Sequence, residues 1–195
     1  GFFPPAMVPY PSYVTAHGSS PVGMHGFPAA TQYALLPAAQ AQPGDYYLFT
    51  VGSGVAAQGV STQQLLKTPA AVTLTLPNPW SAIPPTPARF PTFTFDYTGL
   101  AGQPAIADNA SIRWTQGATT FVINVVATAN HQNGANTVTI PDLTALPGFL
   151  PMAPSGSTIN WSVLTWGGTT QFYLGTSVIP QTISNASDQG TYTQP

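Results

Sequence analysis

The side chains that could carry acid–base chemistry are few. Of 195 residues only five are acidic, all of them Asp, and only three are Lys or Arg. General acid–base catalysis needs positioned ionisable groups, and glycoside hydrolysis needs two carboxyl groups that face each other. Asp96 and Asp108 are the one nearby pair that could be proposed for this role. We instead interpret Asp108, like Asp45 and Asp142, as a turn residue, and Asp96 as part of the polar face of a strand.

Motifs for metal binding and nucleophilic catalysis are equally sparse. His17, Met24 and His25 lie close together and could form a soft Cu(I)-type site, but their Gly-rich surroundings supply no fourth ligand. The sequence has no Gly-x-Ser-x-Gly nucleophile elbow and no Cys. We therefore predict that the protein is not an enzyme and has neither a metal site nor a cofactor.

The low charge limits the classes of partner. Charged residues make up 4% of the chain, against about 25% in an average soluble domain, and the formal net charge is −2. The cations Lys67, Arg89 and Arg113 are scattered, which disfavours binding to a phosphate backbone. Weak repulsion between copies favours self-association, and no apolar run approaches the roughly 18 residues of a membrane span. We expect the partner to be the chain itself, another surface protein or a glycan, and neither nucleic acid nor a membrane.

The composition also indicates a compartment. The chain is rich in Thr, Ser, Asn and Pro and begins without an initiator Met, so we expect a mature extracellular chain whose signal peptide, if any, has been removed. Three Asn-x-Ser sequons occur, at Asn109, Asn160 and Asn185. We predict that Asn109 and Asn185 can be glycosylated, because their surroundings look loop-like. Asn160 lies within a strand pattern and is expected to be less accessible.

Residues 1–44 form a segment rich in Pro, Ala and Gly. Frequent Pro favours extended chain and turns over helix interiors and central strands. The segment also has too many large apolar side chains for a solvated linker, so we expect an extended arm that packs on its own sandwich or on a neighbouring subunit. The predicted binding or assembly contacts, in this arm and in later loops and strand ends, are Phe2, Phe3, Tyr10, Tyr13, Trp80, Phe149, Leu150, Met152 and Trp166.

From residue 45 onward, alternation of apolar and polar residues predicts strands. About eight strands with turn signals between them, and almost no helix, predict an all-β antiparallel sandwich. The predicted strands are 45–51, 72–76, 92–97, 111–114, 119–128, 137–140, 158–166 and 170–174.

Several local predictions follow from the same patterns. We expect residues 119–128 in the middle of a sheet, because both of their faces are partly apolar, and Asn133-Gly134 at the centre of a hairpin. A helical turn is expected only at residues 59–67. The predicted organisation is the arm 1–44, a small module or the first sandwich strands at 45–80, a Pro-rich linker at 81–90, the sandwich at 91–178 and a polar tail at 179–195 with at most an edge strand.

The order of aromatic residues and turns between residues 91 and 174 is also informative. Trp114 ends one strand pattern, Phe121 lies in the next, and a Leu-Pro-Gly turn within Leu143–Gly148 precedes the strand that contains Trp161. In this order the chain resembles a fibronectin type III or related immunoglobulin-like module, which has a Leu-x-Pro-Gly-Thr-x-Tyr corner at that place. Residues 149–157 are inserted here, and Trp161 replaces the Tyr that bonds back to the chain. The resemblance implies binding or spacing in an extracellular, commonly bacterial, surface protein.

Together these observations favour a non-catalytic extracellular structural protein, an associating or self-assembling subunit of a surface layer, filament, sheath or shell. The alternative is a carbohydrate- or protein-binding β-sandwich module of a secreted or cell-surface protein, with Trp80 and Trp166 as contacts. The first hypothesis predicts an oligomer, and the second predicts a monomer that responds to glycans.

Overall fold

Most segments in which apolar and polar residues alternate form β-strands. A computed structural model describes residues 10–24, 32–55, 58–68, 70–78, 84–97, 100, 102–148, 152–168 and 181–195. Within these ranges the chain has twelve strands, one four-residue α-helix and one 3-10 turn. All strand pairs are antiparallel. The predicted all-β antiparallel fold is therefore confirmed.

The elements are labelled in chain order. The strands are β1 (Tyr10–Thr15), β2 (Gly18–Pro21), β3 (Gly23–Met24), β4 (Gln32–Tyr33), β5 (Tyr46–Val55), β6 (Gln58–Leu66), β7 (Thr92–Thr94), β8 (Ala105–Gln116), β9 (Thr119–Thr128), β10 (Thr137–Thr139), β11 (Thr158–Gly168) and β12 (Gln181–Thr193). The helix α1 spans Ala129–Gln132, and the 3-10 turn spans Ala38–Gln40.

Eight strands form one large sheet in the spatial order β2-β1-β5-β6-β12-β11-β8-β9. Strand β12 lies inside this sheet, with β6 on one side and β11 on the other. Strands that precede the Pro-rich segment 81–90 are therefore paired with strands that follow it. The strands β10-β7 and β3-β4 form two further small sheets.

The described part of the Pro-rich segment 1–44 packs on its own chain. Strand β1 pairs with β5 from Tyr10↔Thr50 to Val14↔Tyr46, and β2 folds back onto β1. Tyr13 of β1 is buried. A truncation of residues 1–36 would therefore remove strands of the main sheet.

One face of the main sheet, which we call the inner face, carries the core. Ile112 of β8 and Trp161 of β11 lie directly opposite each other on it, and both are buried. The small β10-β7 sheet packs over this face, with Phe93 of β7 6.1 Å from Trp161 between ring centroids. Fully burying one such side chain stabilises the fold by roughly 1.5–3 kcal/mol. Large sheet, core and small sheet together make a β-sandwich.

A second, smaller cluster covers the inner face at the other end of the sheet. Tyr13, Tyr47 and Phe49 form it. Tyr33 packs edge-on against Tyr47 and Phe49, with centroid distances of 5.7 and 4.9 Å. The first strands of the chain thus have an aromatic core of their own on the shared sheet.

The predicted strand at residues 72–76 is wrong. The segment alternates between exposed and half-buried residues, but it pairs with no described strand. Instead, the Thr62 hydroxyl donates a hydrogen bond to the Thr75 carbonyl at 2.6 Å. The alternation correctly predicted which side chains of the segment are partly buried. The segment is extended and packs on the core through Val72, Leu74 and Leu76.

Three other local predictions are also wrong. Residues 58–66 form strand β6 and not a helical turn, and the polar tail contributes β12, an interior strand. Asn133-Gly134 does not close a hairpin, because β9 belongs to the main sheet and β10 to a small one. The hairpin of this region joins β8 to β9 at Gly117, whose φ of 62° favours glycine. The predicted strand at 170–174 lies outside the described residues.

Candidate self-association edge and polar face

Strand β9 is an edge of the main sheet. Among the described strands only β8 pairs with it, from Gln116↔Thr119 to Ala107↔Thr128. The prediction that residues 119–128 lie in the middle of a sheet is therefore wrong. The far side of β9 presents N–H and C=O groups that no described strand pairs, and such an edge is a template for another strand.

The usual protections of an edge strand are missing from β9. Its ten residues, TTFVINVVAT, contain no charged residue, no Pro and no Gly. Its ladder with β8 runs without a bulge. Sheet proteins commonly protect long edges with charges, Pro or bulges, and the β-branched residues of β9 favour the extended conformation. The charged residues of this ladder both lie on β8, with Arg113 opposite Val122 and Asp108 opposite Ala127.

The two faces of β9 differ, although both carry apolar residues. Phe121 points to the inner face and stacks on Trp114, its direct partner on β8, at 5.3 Å between ring centroids. Val122 and Val126 point to the other face and are 58% and 48% exposed. Two sets of apolar residues suggested a central strand. Those on the inner face belong to the core, and those on the other face are exposed to solvent.

The opposite edge of the sheet is different in kind. Strand β2 has four residues, all exposed, and ends at Pro21. Pro has no backbone N–H to donate, and short edge strands pair poorly with other chains. The two edges of the described sheet are therefore unequal, with β9 the one suited to pairing.

The outer face, opposite the inner one, is mostly polar and contains a groove of about 450 Å³. Gly54 and Gly59 line it and pair with each other across β5 and β6. A Cβ on Gly59 would lie 3.1 Å from the hydroxyl of Ser187. Ser162 and Gln189, paired on β11 and β12, line the groove as well. Such a surface can exchange hydrogen bonds with hydroxyl- or amide-rich molecules.

The loop setting predicted for Asn109 and Asn185 is wrong. Asn109 lies within β8 and Asn185 within β12, both inside the main sheet and only partly exposed. The Asn185 side-chain amide donates a hydrogen bond to the Ser61 hydroxyl at 2.7 Å. Asn160 is the exposed member of the three. The strand register places all three on the outer face.

Asp108 is a buried carboxylate of the inner face, with an exposed fraction of 0%. It lies in β8, so its interpretation as a turn residue is wrong. Its Oδ2 accepts hydrogen bonds from the Tyr97 hydroxyl and from Gln132 Nε2, the latter at 2.8 Å. Asp108 thus joins the segment after β7, helix α1 and the main sheet.

The environment of Asp108 shifts its ionisation. Burial raises the pKa of Asp108 above its usual range, and Thr165, Tyr97 and Gln132 partly offset that rise. Asp108 Oδ1 and the facing Thr165 hydroxyl are both buried without a hydrogen-bond partner among the described residues. Thr165 therefore acts on the pKa through its proximity and not through a formed hydrogen bond. Burial also raises the pKa of Tyr97.

Asp188 is a second buried carboxylate on the same face, 4% exposed. Its Oδ1 accepts a hydrogen bond from the Gln189 N–H at 2.8 Å. Its Oδ2 is buried without a partner among the described residues, and burial raises its pKa. Strand β11 lies between the strands of Asp108 and Asp188. The sequence contained a signal for the burial of both carboxyl groups. Each Asp lies an even number of residues from buried apolar residues of its own strand and therefore points to the same face as they do.

Asp45 and Asp142 support turns as predicted. Asp45 Oδ2 accepts the Gln42 N–H at 2.9 Å. Asp142 Oδ1 accepts both the N–H and the hydroxyl of Thr144, at 3.0 and 2.6 Å. The Thr144 hydroxyl holds the pKa of Asp142 below its usual range.

The structure describes the side chains of three predicted contact residues, Tyr13, Met152 and Trp166. Tyr13 and Met152 are buried in the two core clusters, and Trp166 is half-buried on β11. The predicted contacts Phe2, Phe3, Trp80, Phe149 and Leu150 lie outside the described residues, as does the side chain of Tyr10.

The predicted metal-ligand set is only partly described. His17 is exposed in the turn between β1 and β2, and Met24 ends β3. His25 lies outside the described residues. Across the part of the chain that the structure describes, no three His, Cys, Asp or Glu side chains are grouped to hold a metal ion.

The chain matches no protein-family model, no curated protein and no solved structure. No helix in the described ranges has the length and apolar character to span a membrane. A function is therefore inferred from the surfaces of the molecule itself.

Proposed function

We propose that the chain is a non-catalytic structural protein that associates with copies of itself through edge strand β9. In this proposal it is a subunit of an extracellular surface layer, filament, sheath or shell. The observation that carries the proposal is the ten-residue edge without a charge, a Pro or a bulge. The extracellular setting is supported by the composition, which is rich in Thr, Ser, Asn and Pro and has only 4% charged residues.

A second copy of the chain is the occupant that suits this edge. With few charges on the chain, two copies repel each other weakly. Antiparallel pairing of β9 with β9 of a second copy would use the same surface twice and form a closed two-fold dimer. A full ladder of this length would form about ten backbone hydrogen bonds. It would also bring Val122 and Val126 of each copy against the other and remove part of their surface from water.

Because the edge strands β9 and β2 differ, we expect a closed pair of two β9 strands and not an open chain of sheets. Pairing of β9 with β2 of the next copy would give an open chain of sheets, but β2 is short and contains Pro21. The two-fold β9 pair is therefore the proposed building block. A layer or filament needs a second contact in addition, and we assign that contact to the polar outer face.

The resemblance to fibronectin type III modules remains a prediction. In those modules a Tyr in the corner bonds back to the chain. The corresponding Trp161 has a buried indole N–H with no hydrogen-bond partner among the described residues. The resemblance therefore adds no support of its own to the proposed function.

The test adds charge to the edge. Val122→Lys and Val126→Lys place Lys on exposed positions of β9, where a charge is known to block strand addition. We expect the wild-type chain to sediment as a dimer or larger species, and both variants to lose the β9 dimer while remaining folded. Analytical ultracentrifugation and light scattering measure the difference.

The matched control is Thr191→Lys, which adds the same charge to an exposed outer-face position of the interior strand β12. This variant should still form the two-fold dimer. A wild-type chain that is monomeric at high concentration, or Lys variants that assemble as the wild type does, would refute the proposal.

The outer-face groove favours a second candidate function, binding of a carbohydrate. Its lining includes Asn109, Ser162, Ser187 and Gln189, whose hydroxyl and amide groups can exchange hydrogen bonds with sugar hydroxyls. Ser162→Phe would fill the groove and should abolish binding on a glycan panel. A monomeric wild-type chain that binds a glycan through this groove would favour the second candidate over the first.

A further inference from the structure

A second cavity lies at the far end of the sheet from β9. It has a volume of about 600 Å³, within the range typical of small-molecule sites. The β1–β2 hairpin lines it on one side, and the segment that contains Leu36 and Asp45 lines it on the other. Its lining includes Tyr13, an inner-face residue, so this cavity is separate from the outer-face groove.

The walls of this cavity are fixed by hydrogen bonds. The Tyr13 hydroxyl donates to Asp45 Oδ2 at 3.0 Å, and the Gln42 N–H donates to the same oxygen at 2.9 Å. Lys67 Nζ donates to the main-chain carbonyls of Pro43 and Asp45, at 2.6 and 2.9 Å. A site held in this way loses little conformational entropy when a ligand binds.

Asp45 presents its carboxylate at the wall of the cavity. Its side chain is only 6% exposed and lines the cavity. Tyr13 and Gln42 both donate to Oδ2. An ionised carboxylate has about four lone-pair sites on its two oxygens, so the group can also accept a hydrogen bond from an N–H or O–H group of a ligand.

The local charge determines which kind of donor fits. The Lys67 ammonium is bonded to the main chain of Asp45 itself, so a positive charge already lies near this carboxylate. His17 also lines the cavity, so the carboxylate is not the only titratable group there. Because Lys67 already lies near Asp45, a cationic ligand gains less than it would beside an isolated carboxylate, and an anionic ligand would meet Asp45 directly. The charge balance therefore favours a neutral ligand with hydroxyl donors.

The rest of the lining is amphipathic. Tyr13, Val22 and Leu36 supply apolar surface. The hydroxyl of Ser20 and the amide of Gln40 supply donors and acceptors on exposed positions. A sugar ring has the matching character, with C–H surface on its faces and hydroxyl groups at its edge. We propose that this cavity binds a neutral polyhydroxylated ring of the monosaccharide class, with the Asp45 carboxylate accepting a ligand hydroxyl. The proposal does not depend on self-association through β9.

The test compares ligands that share a skeleton and differ in charge. Calorimetric titration of the full chain would use glucose, galactose and mannose as neutral probes, with glucosamine and glucuronate as charged ones, at about pH 6 where the amine is protonated. We expect at least one neutral sugar to bind, glucuronate to bind at least about tenfold more weakly, and glucosamine to bind no more tightly than glucose. Binding of glucosamine alone, equal binding of glucuronate, or no binding of any neutral sugar would overturn the proposal.

Two variants locate the binding to this cavity. Asp45→Asn keeps an acceptor for Tyr13 and Gln42 but replaces the other carboxylate oxygen by an amide nitrogen, which cannot accept, and should weaken sugar binding about tenfold. Ser20→Phe places a large side chain on an exposed hairpin position and should abolish binding without affecting folding. Asn160→Ala, on the outer face, should bind as the wild type does. Sugar binding that survives both cavity variants would place the ligand elsewhere and refute the assignment.

Discussion

The indole ring of Trp161 lies directly over Gly190. The two residues are opposite each other on β11 and β12, and a Cβ on Gly190 would lie 2.8 Å from Cζ2 and 2.9 Å from Cε2 of the ring. Real Cβ atoms do not approach ring carbons this closely. Trp161 is only 5% exposed and also packs near Phe93. Glycine at position 190 therefore lets the tryptophan lie flat on the sheet under the small second layer.

Gly190→Ala should consequently destabilise the fold. The added methyl group forces the Trp161 ring out of its packed position, and overpacking of this kind costs about 1–3 kcal/mol. Chemical denaturation followed by tryptophan fluorescence measures the loss. Gly44→Ala is the control, because nothing lies within 4 Å of its Cβ position. Equal stability of the two variants would contradict the close contact.

Asp108 should respond differently to removal and to neutral replacement. Asp108→Ala leaves the donors of Tyr97 and Gln132 without an acceptor and should cost about 2–3 kcal/mol. Asp108→Asn keeps an acceptor for both, relieves the burial of a charge and supplies an N–H toward Thr165, so stability should be unchanged or higher. Urea denaturation at neutral pH compares the two. If the Asn variant lost as much stability as the Ala variant, the charge itself would be needed.

Stability should decrease as the pH rises above the ordinary range of Asp. The folded-state pKa values of Asp108 and Asp188 are raised by burial. Between about 3.9, the unfolded value, and those raised values, the folded state binds more protons than the unfolded state. The stability from protonated Asp108 and Asp188 is therefore complete below this window and lost as the pH rises through it. Asp142, with its lowered pKa, acts in the opposite direction but is exposed and contributes weakly.

Thermal unfolding at constant ionic strength from about pH 4 to pH 8 measures this trend. The double variant Asp108→Asn, Asp188→Asn should give a flatter profile. A wild-type unfolding temperature that rises steadily over the same interval would show that these carboxyl groups do not control the pH dependence.

Single cysteines should report the two-fold geometry of the proposed β9 pair. The chain has no Cys, so one introduced thiol can form a disulfide only between copies. In an antiparallel pair of identical strands, one of Val122→Cys, Asn124→Cys and Val126→Cys falls nearest the axis, where facing Cβ atoms come within disulfide reach. Non-reducing electrophoresis after mild oxidation should show a dimer for that position. Thr191→Cys should keep the non-covalent pair but migrate as a monomer in this electrophoresis, and crosslinking no faster than in this control would contradict the pairing.

The sequence predicted the local structure well where the alternation was strict. Val138 and Ile140 are buried as their period predicts, and Ile159, Trp161 and Val163 are buried on one face of β11. A strand turns successive side chains to opposite faces whatever it pairs with, so this property can be seen in one segment alone. The all-β fold and most of the core follow from it.

The errors concern position in the sheet. Residues 119–128 have apolar residues on both faces, but the second apolar face belongs to exposed Val122 and Val126 on an edge. The polar 181–193 segment looked like a tail, yet its small and polar residues lie between β6 and β11. Apart from buried Ile183, the outward residues whose exposure is described are polar and at least partly exposed, which an interior strand permits where only one sheet face is covered. A segment's own pattern does not reveal its neighbours.

By itself, the sequence determined a sparsely charged, antiparallel all-β chain and which side of each regular strand is buried, because composition and side-chain period are local properties. Only the tertiary structure decided that β9 is an edge of the sheet formed by the described strands and that Tyr97, Asp108 and Gln132 meet. The same is true of the cavity at Asp45, which the β1–β2 hairpin and the segment before β5 enclose together. These features depend on which distant segments pack together, and that choice is made by the burial of the whole core.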